Sequence, residues 1–374
     1  YLRGLIVGIS EYNPCAPPDG PIPVSEPGDA PFSQGQRSYE QAISCPYKVK
    51  GPSRGTVLLV PCTSCDPAEF FGNTHLGVRL PKAGFEICWV DIPCNSLCDM
   101  QLSAEFVAYA IGHLAARSRT GKIHVVSYSQ GGANTQWALT FWPSLRSQVI
   151  NLVTISAPLK GLPLLGPLGA ALNLIGGSLP PLLQMAKGSR YMNALNHKTN
   201  VTSNYQAHVP STSIFTYHDE FVFPQTSGSE GASHLAGASN IAVQDVCGRM
   251  HVVDHFGMLV DLAAYGLVLD ALTHGRPASV ETFDRGTVKI TVGRVHVKTS
   301  TDKSLREFAI RIPLWFQAIW RSFVGNAPQR VRMFITMLKG HVPTEPPMMK
   351  YVCNRGHAPE GTCSPLGFCG NRPR

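Results

Sequence analysis

Residues His124-Val125-Val126-Ser127-Tyr128-Ser129-Gln130-Gly131-Gly132 decide how this chain is read. Val125 and Val126 form an apolar pair that predicts a buried strand, and the strand runs straight into a serine and two glycines. Residues 133–141 then continue at once as a helical pattern. A serine at a sharp strand-to-helix turn has its hydroxyl exposed at the edge of the sheet, and such a turn leaves room only for small residues two positions to either side. Gly131 fills one of these places and Ser127 the other, so the pattern is S-x-S-x-G, one step from G-x-S-x-G. Alone it is equally compatible with an ordinary strand–helix turn, and partners elsewhere in the chain must decide.

Outward from this turn, strand and helix signals alternate. Apolar runs at 56–60, 86–91, 123–126, 152–156 and 213–217 predict strands, and helical patterns fall at 104–116, 133–141 and 255–272. That alternation implies an α/β fold with a mostly parallel central sheet flanked by helices. Ligands in such sheets sit beyond the carboxyl ends of the strands, where Ser129 and the segments after Val60, Val90, Ser156 and Tyr217 fall. The expected organisation is an extended arm at 1–35, an α/β core at 36–275 and a C-terminal region at 276–374 packing on it. Within that last region 287–298 alternates like a hairpin, and 305–323 and 331–338 repeat apolar residues at helical spacing.

Composition sets the class. The 374 residues are 44% hydrophobic and 15% charged, enough for a large core and incompatible with wholesale disorder. Eleven cysteines and thirty prolines predict a secreted, disulfide-bonded protein. The sequon Asn200-Val201-Thr202, a candidate glycosylation site, fits that setting. Tyr1 reads as a processed start. The net charge of +8 is concentrated late, with sixteen Lys/Arg against six Asp/Glu between Arg276 and Arg374. These basic residues are scattered rather than striped, so nucleic acid is not the expected partner. Residues 161–186 carry no charge, but Pro163, Pro167, Pro180 and Pro181 interrupt them, so no transmembrane segment is expected. A monomer is expected.

A serine nucleophile needs a base, and the base needs a carboxylate to orient it. Where the serine sits on this kind of turn, the chain order is serine, acid, histidine. Asp219, in Thr216-Tyr217-His218-Asp219-Glu220, ends a strand at the right edge. His255, in Val252-Val253-Asp254-His255-Phe256-Gly257, follows a short apolar stretch. His218 and His251 remain open as alternative bases, and Glu220 and Asp254 as alternative acids. Donors for an oxyanion are expected from the main chain of Gln130 and from the loop at 61–64, where Thr63 offers an N–H and a hydroxyl. The leucine-rich stretch from 161 follows a strand at the same edge and is expected, as a cap segment at 161–205, to wall a pocket for an apolar chain.

Several of these stretches carry a resemblance. Leu58-Leu59-Val60-Pro61-x-Thr63, Ser129-Gln130-Gly131-Gly132 with Gln136-Trp137-Ala138-Leu139-Thr140-Phe141-x-Pro143-Ser144, Asp219-Glu220-x-Val222-x-Pro224-Gln225, and Val246-Cys247-Gly248 with Asp254-His255-x-Gly257 occur in this order. They resemble the Candida antarctica lipase B-like family of fungal α/β-hydrolases over roughly residues 31–272. The resemblance implies the α/β-hydrolase fold and a serine ester hydrolase. Such an enzyme would cleave lipid-like carboxylic esters through an acyl-enzyme, at a lipid–water interface, without metal or organic cofactor. It also implies Ser129, Asp219 and His255 as a triad and Thr63 and Gln130 as the oxyanion pair. Tyr128, Leu159, Phe221 and Val222 are implied as substrate contacts, and Cys45–Cys88 as a disulfide. An acyltransferase using the same acyl-enzyme and a non-catalytic lipid-binding protein on the same scaffold are the alternatives. The chain departs from the family at Tyr128, where the family has tryptophan, at Cys62, where it has glycine, and at 157–161, which lacks its aspartate.

The remaining cysteines are the least family-like feature. Cys62 and Cys65 lie on one loop, and Cys94 and Cys98 on the loop leaving the neighbouring strand. In a secreted hydrolase this spacing predicts disulfides rather than zinc. The expectation is two bridges that tie one loop to the other and fix Thr63. Cys247, Cys353, Cys363 and Cys369 are expected to supply two more bridges, stapling the tail to the domain and leaving Cys15 over.

Overall fold

The computed structural model describes residues 22, 26–47, 54–165, 178–197, 206–283, 342 and 344–363. Most of the expected arm, the centre of the cap, Asn200, Cys15, Cys369, the stretch at 287–298 and the patterns at 305–323 and 331–338 lie outside the described residues.

The described strands are β1 (Ile43–Tyr47), β2 (Thr56–Val60), β3 (Glu86–Val90), β4 (Ile123–Tyr128), β5 (Val149–Ile155), β6 (Ser211–Phe215) and β7 (Ser239–Ala242). The described helices are α1 (Gln36–Gln41), α2 (Pro67–Gly72), α3 (His75–Lys82), α4 (Met100–Arg117), α5 (Gln130–Phe141), α6 (Pro180–Gln184), α7 (Arg190–Leu195), α8 (Val243–Cys247), α9 (Leu262–His274) and α10 (Lys350–Asn354). The strands form one sheet in the order β1-β3-β2-β4-β5-β6-β7, with β1 antiparallel to β3 and the rest parallel. This is the expected α/β-hydrolase architecture.

Every residue of β2, β4 and β6 is buried, because helices cover both faces of the sheet; that is why these strands read as continuous runs rather than alternating ones. One face packs Val125, Leu58 and Leu152 against α4 and α5, with Trp137, Trp142 and Tyr191. The other packs Val126, Val57 and Val153 against α3 and α9. Met348, Met349, Tyr351 and Val352 from the C-terminal segment are buried in the first of these layers. Edge strand β1 carries Pro46, which a strand tolerates where no ladder bond is needed. A disulfide between Cys45 and Cys88 joins β1 to β3, with Cα atoms 4.1 Å apart.

The expected cross-loop disulfides are not present. Cys62 bonds to Cys65 and Cys94 to Cys98, each closing its own turn, with Cα separations of 5.3 and 5.8 Å. Three- and four-residue spacings on tight turns already bring the Cα atoms within bridging range, so each pair closes locally. Cys353 likewise bonds to Cys363 within the C-terminal segment, not across to the domain, while Cys247 has no disulfide partner among the described residues.

Candidate active site

Strand β4 ends at Tyr128 and α5 begins at Gln130, so the whole turn between them is Ser129. Ser129 has φ 53° and ψ −126°, and its N–H donates to the Ile155 carbonyl at 2.8 Å. The glycines after it are there for want of space. A Cβ on Gly131 would lie 2.6 Å from the carbonyl oxygens of Val60 and Pro61, and one on Gly132 would lie 2.4 Å from Ala157 Cβ. Ser127 stands where the usual motif has glycine. Its Oγ is fully buried and shares a 2.8 Å hydrogen bond with Thr135 Oγ1, which itself donates to the Gly131 carbonyl at 2.8 Å.

Ser129 Oγ is 3.1 Å from His255 Nε2, and His255 Nδ1 is 2.9 and 3.0 Å from the two carboxylate oxygens of Asp219. All of them are largely withdrawn from solvent, Ser129 at 9%, His255 at 4% and Asp219 at 5% exposure. The main-chain N–H groups of Phe221 and Val222 donate to Asp219 Oδ1 at 3.1 and 2.7 Å, which fixes the carboxylate at the end of β6. The alternatives left open by the sequence are engaged elsewhere. His218 Nδ1 faces Gln244, His251 pairs with Asp261 at 2.7 Å, and Asp254 accepts the Gly257 N–H. Glu220 accepts the main-chain N–H of His255 at 2.9 Å.

Thr63 is half-buried on the loop after β2, and its hydroxyl donates to Gln130 Oε1 at 2.5 Å. Gln130 Nε2 donates onward to the Ser96 carbonyl at 3.1 Å. Ser96 and its loop gave no sign of this role in the sequence beyond their cysteines.

The expected substrate contacts divide. Phe221 is 51% exposed, with its ring edge-on to both His255 and Phe256 at centroid distances of 5.5 Å. Tyr128 is fully buried instead, and its hydroxyl donates to the His255 carbonyl at 2.9 Å. Leu159 is buried with Ala157 and Leu235, and Val222 with Leu162 and Ala232. Phe70 and Phe256, which the sequence did not single out, complete the aromatic surround, with Phe70 6.2 Å from Tyr128 and 6.4 Å from Phe256.

A hydroxyl next to an imidazole, itself next to a buried carboxylate, can be deprotonated as it attacks an electrophilic carbon. Among the described residues no group of His, Cys, Asp and Glu is placed to hold a metal ion, and no helix is long and apolar enough to cross a membrane.

No family model matches the chain. It is 33% identical over 256 residues to lipase B of Pseudozyma antarctica, a match that covers 68% of this chain and 72% of that protein. The crystal structure of Aspergillus fumigatus lipase B superposes with a TM-score of 0.68 at 27% identity, covering 91% of this chain and 77% of the other. With that extent of similarity, on a seven-stranded sheet of the α/β-hydrolase type, the chain belongs to the lipase B family and is a carboxylic ester hydrolase.

Proposed function

We propose that this chain is a secreted serine hydrolase that cleaves lipid-like carboxylic esters through an acyl-enzyme. The observation that carries the reading is the chain of contacts from Ser129 Oγ through His255 to Asp219, at 3.1 and 2.9 Å. Ser129 Oγ attacks the ester carbonyl while His255 Nε2 takes its proton. Asp219 holds the ring in the tautomer that leaves Nε2 free and stabilises the imidazolium. The tetrahedral oxyanion is met by the N–H of Gln130 and by Thr63. His255 then protonates the departing alcohol, and water, activated by the same ring, releases the acid and restores Ser129.

Lipid-like substrates are favoured by exposed apolar side chains: Phe221, edge-on to His255, is 51% exposed, and Leu164, in the expected cap segment, is 60% exposed. The names of both relatives, lipase B, agree with it. Each buried CH₂ of an acyl chain contributes about 0.8 kcal/mol. Secretion is favoured by the disulfides Cys45–Cys88, Cys62–Cys65, Cys94–Cys98 and Cys353–Cys363.

A fluorophosphonate probe tests the nucleophile. Wild-type protein is expected to be labelled once, and Ser129→Ala not at all; an unlabelled wild type overturns the reading. A series of p-nitrophenyl esters of rising acyl length, with and without an emulsion, tests the substrate class. Turnover confined to the shortest soluble esters would reject lipid-like substrates and keep the ester hydrolase.

A further inference from the structure

His255 caps the short 3-10 turn Phe256–Leu259 at the end of the irregular stretch that follows α8, so only one short turn of regular structure holds it. Its ring has the two hydrogen-bond partners already described, Ser129 and Asp219. Its main chain has two more. The N–H of His255 donates to Glu220 Oε2 at 2.9 Å, and its carbonyl accepts the Tyr128 hydroxyl at 2.9 Å. The pairing is systematic. Ser129 and Asp219 touch the ring, and the residue beside each of them, Tyr128 and Glu220, holds the backbone that carries the ring.

From this geometry we infer that Tyr128 and Glu220 are positioning residues for the general base, and that Tyr128 has exchanged a pocket-lining place for this task. The inference rests on the reading of Ser129, His255 and Asp219 as the triad. Tyr128 is suited to the role. It ends β4, the strand that delivers the nucleophile, so its hydroxyl registers the histidine loop directly to the serine. The ring is fully buried and lies 5.1 Å from the imidazole, which confines its hydroxyl to the one direction where it finds the carbonyl. Burial, with Asp219, Glu220 and Asp254 nearby, raises the phenol well above its ordinary range, so it remains a neutral donor at any working pH. Upstream, Thr216 and Gln244 hold the same loop at the carbonyls of Val253 and His251, and at residue 255 the side-chain restraints on the main chain are those of Tyr128 and Glu220.

The general base has to accept a proton on one side and deliver it on the other, and misplacing a catalytic group by about 1 Å can cost on the order of a hundredfold in rate. Loss of one of two restraints should cost less. Tyr128→Phe deletes only the hydroxyl, and Glu220→Ala deletes an exposed side chain together with its hydrogen bond to the His255 N–H. For each, kcat on a short p-nitrophenyl ester is expected to fall about three- to thirtyfold with KM within about twofold. The decisive readout is titration of Ser129 with a fluorophosphonate. A positioning defect leaves one site per chain labelled, but more slowly and by the same factor as kcat. A folding defect lowers the labelled fraction and leaves the rate per site unchanged. Wild-type labelling rates at full stoichiometry in both variants, or a reduced fraction at the wild-type rate, would overturn the inference while leaving the triad standing. A wild type that takes no label removes the triad and this inference together.

Discussion

The Ser64 N–H donates to the Asn95 carbonyl at 2.7 Å, and so joins the turn closed by Cys62–Cys65 to the turn closed by Cys94–Cys98. Both residues, with Cys94 and Ser96, hold left-handed backbone at φ 62°, 52°, 56° and 62°. A non-glycine residue in that region costs about 1–3 kcal/mol, and persists only where its surroundings leave no alternative. Here the alternative is removed by a disulfide across each turn, by the hydrogen bond between them and by the Gln130 side chain that bridges them. The Gln130 carboxamide spans the two turns, accepting from the Thr63 hydroxyl and donating to the Ser96 carbonyl.

The single Thr63 hydroxyl proton, donated to Gln130 Oε1 in the free enzyme, is expected to turn to the oxyanion when substrate binds, so that Thr63 acts through its hydroxyl as well as its N–H. Removing one oxyanion donor costs about 2.7–4 kcal/mol, a hundredfold or more in kcat. Thr63→Val should lose about that much with KM little changed, and Thr63→Ser should stay within about fivefold of wild type. Steady-state kinetics on a short ester checks both, and a valine variant as active as wild type would remove the hydroxyl from the mechanism.

If the second turn works through that hydroxyl, its effect must vanish when the hydroxyl is gone. The double substitution Cys94→Ser/Cys98→Ser is expected to lower kcat about tenfold in the wild-type background and about twofold or less in Thr63→Val, a coupling of the kind seen between residues in one network. The same factor in both backgrounds would mean that the bridge serves only the fold.

How much of this was legible beforehand follows from physics that is local or not. β2 matched its expected 56–60, because five consecutive buried residues bounded by Pro61 admit little else. The turn at Ser129 was legible for the same reason: small residues must surround it, and the spacing of Asp219 and His255 along the chain follows the order of the sheet. β1 was missed because Pro46 and Ser44 disguise an edge strand, and β7 because Ser239–Ala242 is too short to show a period. The cysteine pairing went wrong because the loops do meet, as expected, but through main-chain and amide hydrogen bonds that composition cannot signal. Tyr128 was assigned to the pocket from resemblance. Only the distance to the His255 carbonyl reveals that its hydroxyl is engaged inward.

The nucleophile turn offers a pair of substitutions with opposite expectations. Gly131→Ala places a Cβ against the carbonyl oxygens of Val60 and Pro61, which belong to a central strand and its exit and cannot yield. Overpacking of this kind costs about 1–3 kcal/mol or more, so the melting temperature should fall by several degrees and esterase activity with it. Ser127→Gly restores the commoner motif and loses one buried hydrogen bond to Thr135, worth about 1 kcal/mol. Activity should stay within about twofold. A stable, active Gly131→Ala protein would show that the close approach is not a constraint.

Glu105 gives a pH dependence whose sign can be worked out. It lies on α4, fully buried, and its Oε2 accepts from the Ser33 N–H, the Ser33 hydroxyl and the Tyr39 hydroxyl at 2.8, 2.7 and 2.6 Å. Among the described residues Oε1 has no hydrogen-bond partner. Burial outweighs the donated hydrogen bonds and pushes the carboxyl from 4.5 up to about 7. Between those two values the folded chain keeps a proton that the unfolded chain has lost, so stability falls as pH rises through this window and levels off above it. At about 1.4 kcal/mol per pH unit the total is about 3 kcal/mol. Glu105→Gln stays neutral throughout and can still accept from Ser33 and Tyr39. Other buried carboxyls, Asp99 and Glu345 among them, are raised by burial too and contribute a slope of the same sign to both proteins. The test is thus a difference. Melting curves between pH 4.5 and 7.5 should converge at the acid end, or favour the wild type there, and shift toward the variant as pH rises. Parallel curves would mean that Glu105 stays charged in the folded protein across the whole range, held by the three donors on Oε2 against the cost of burial.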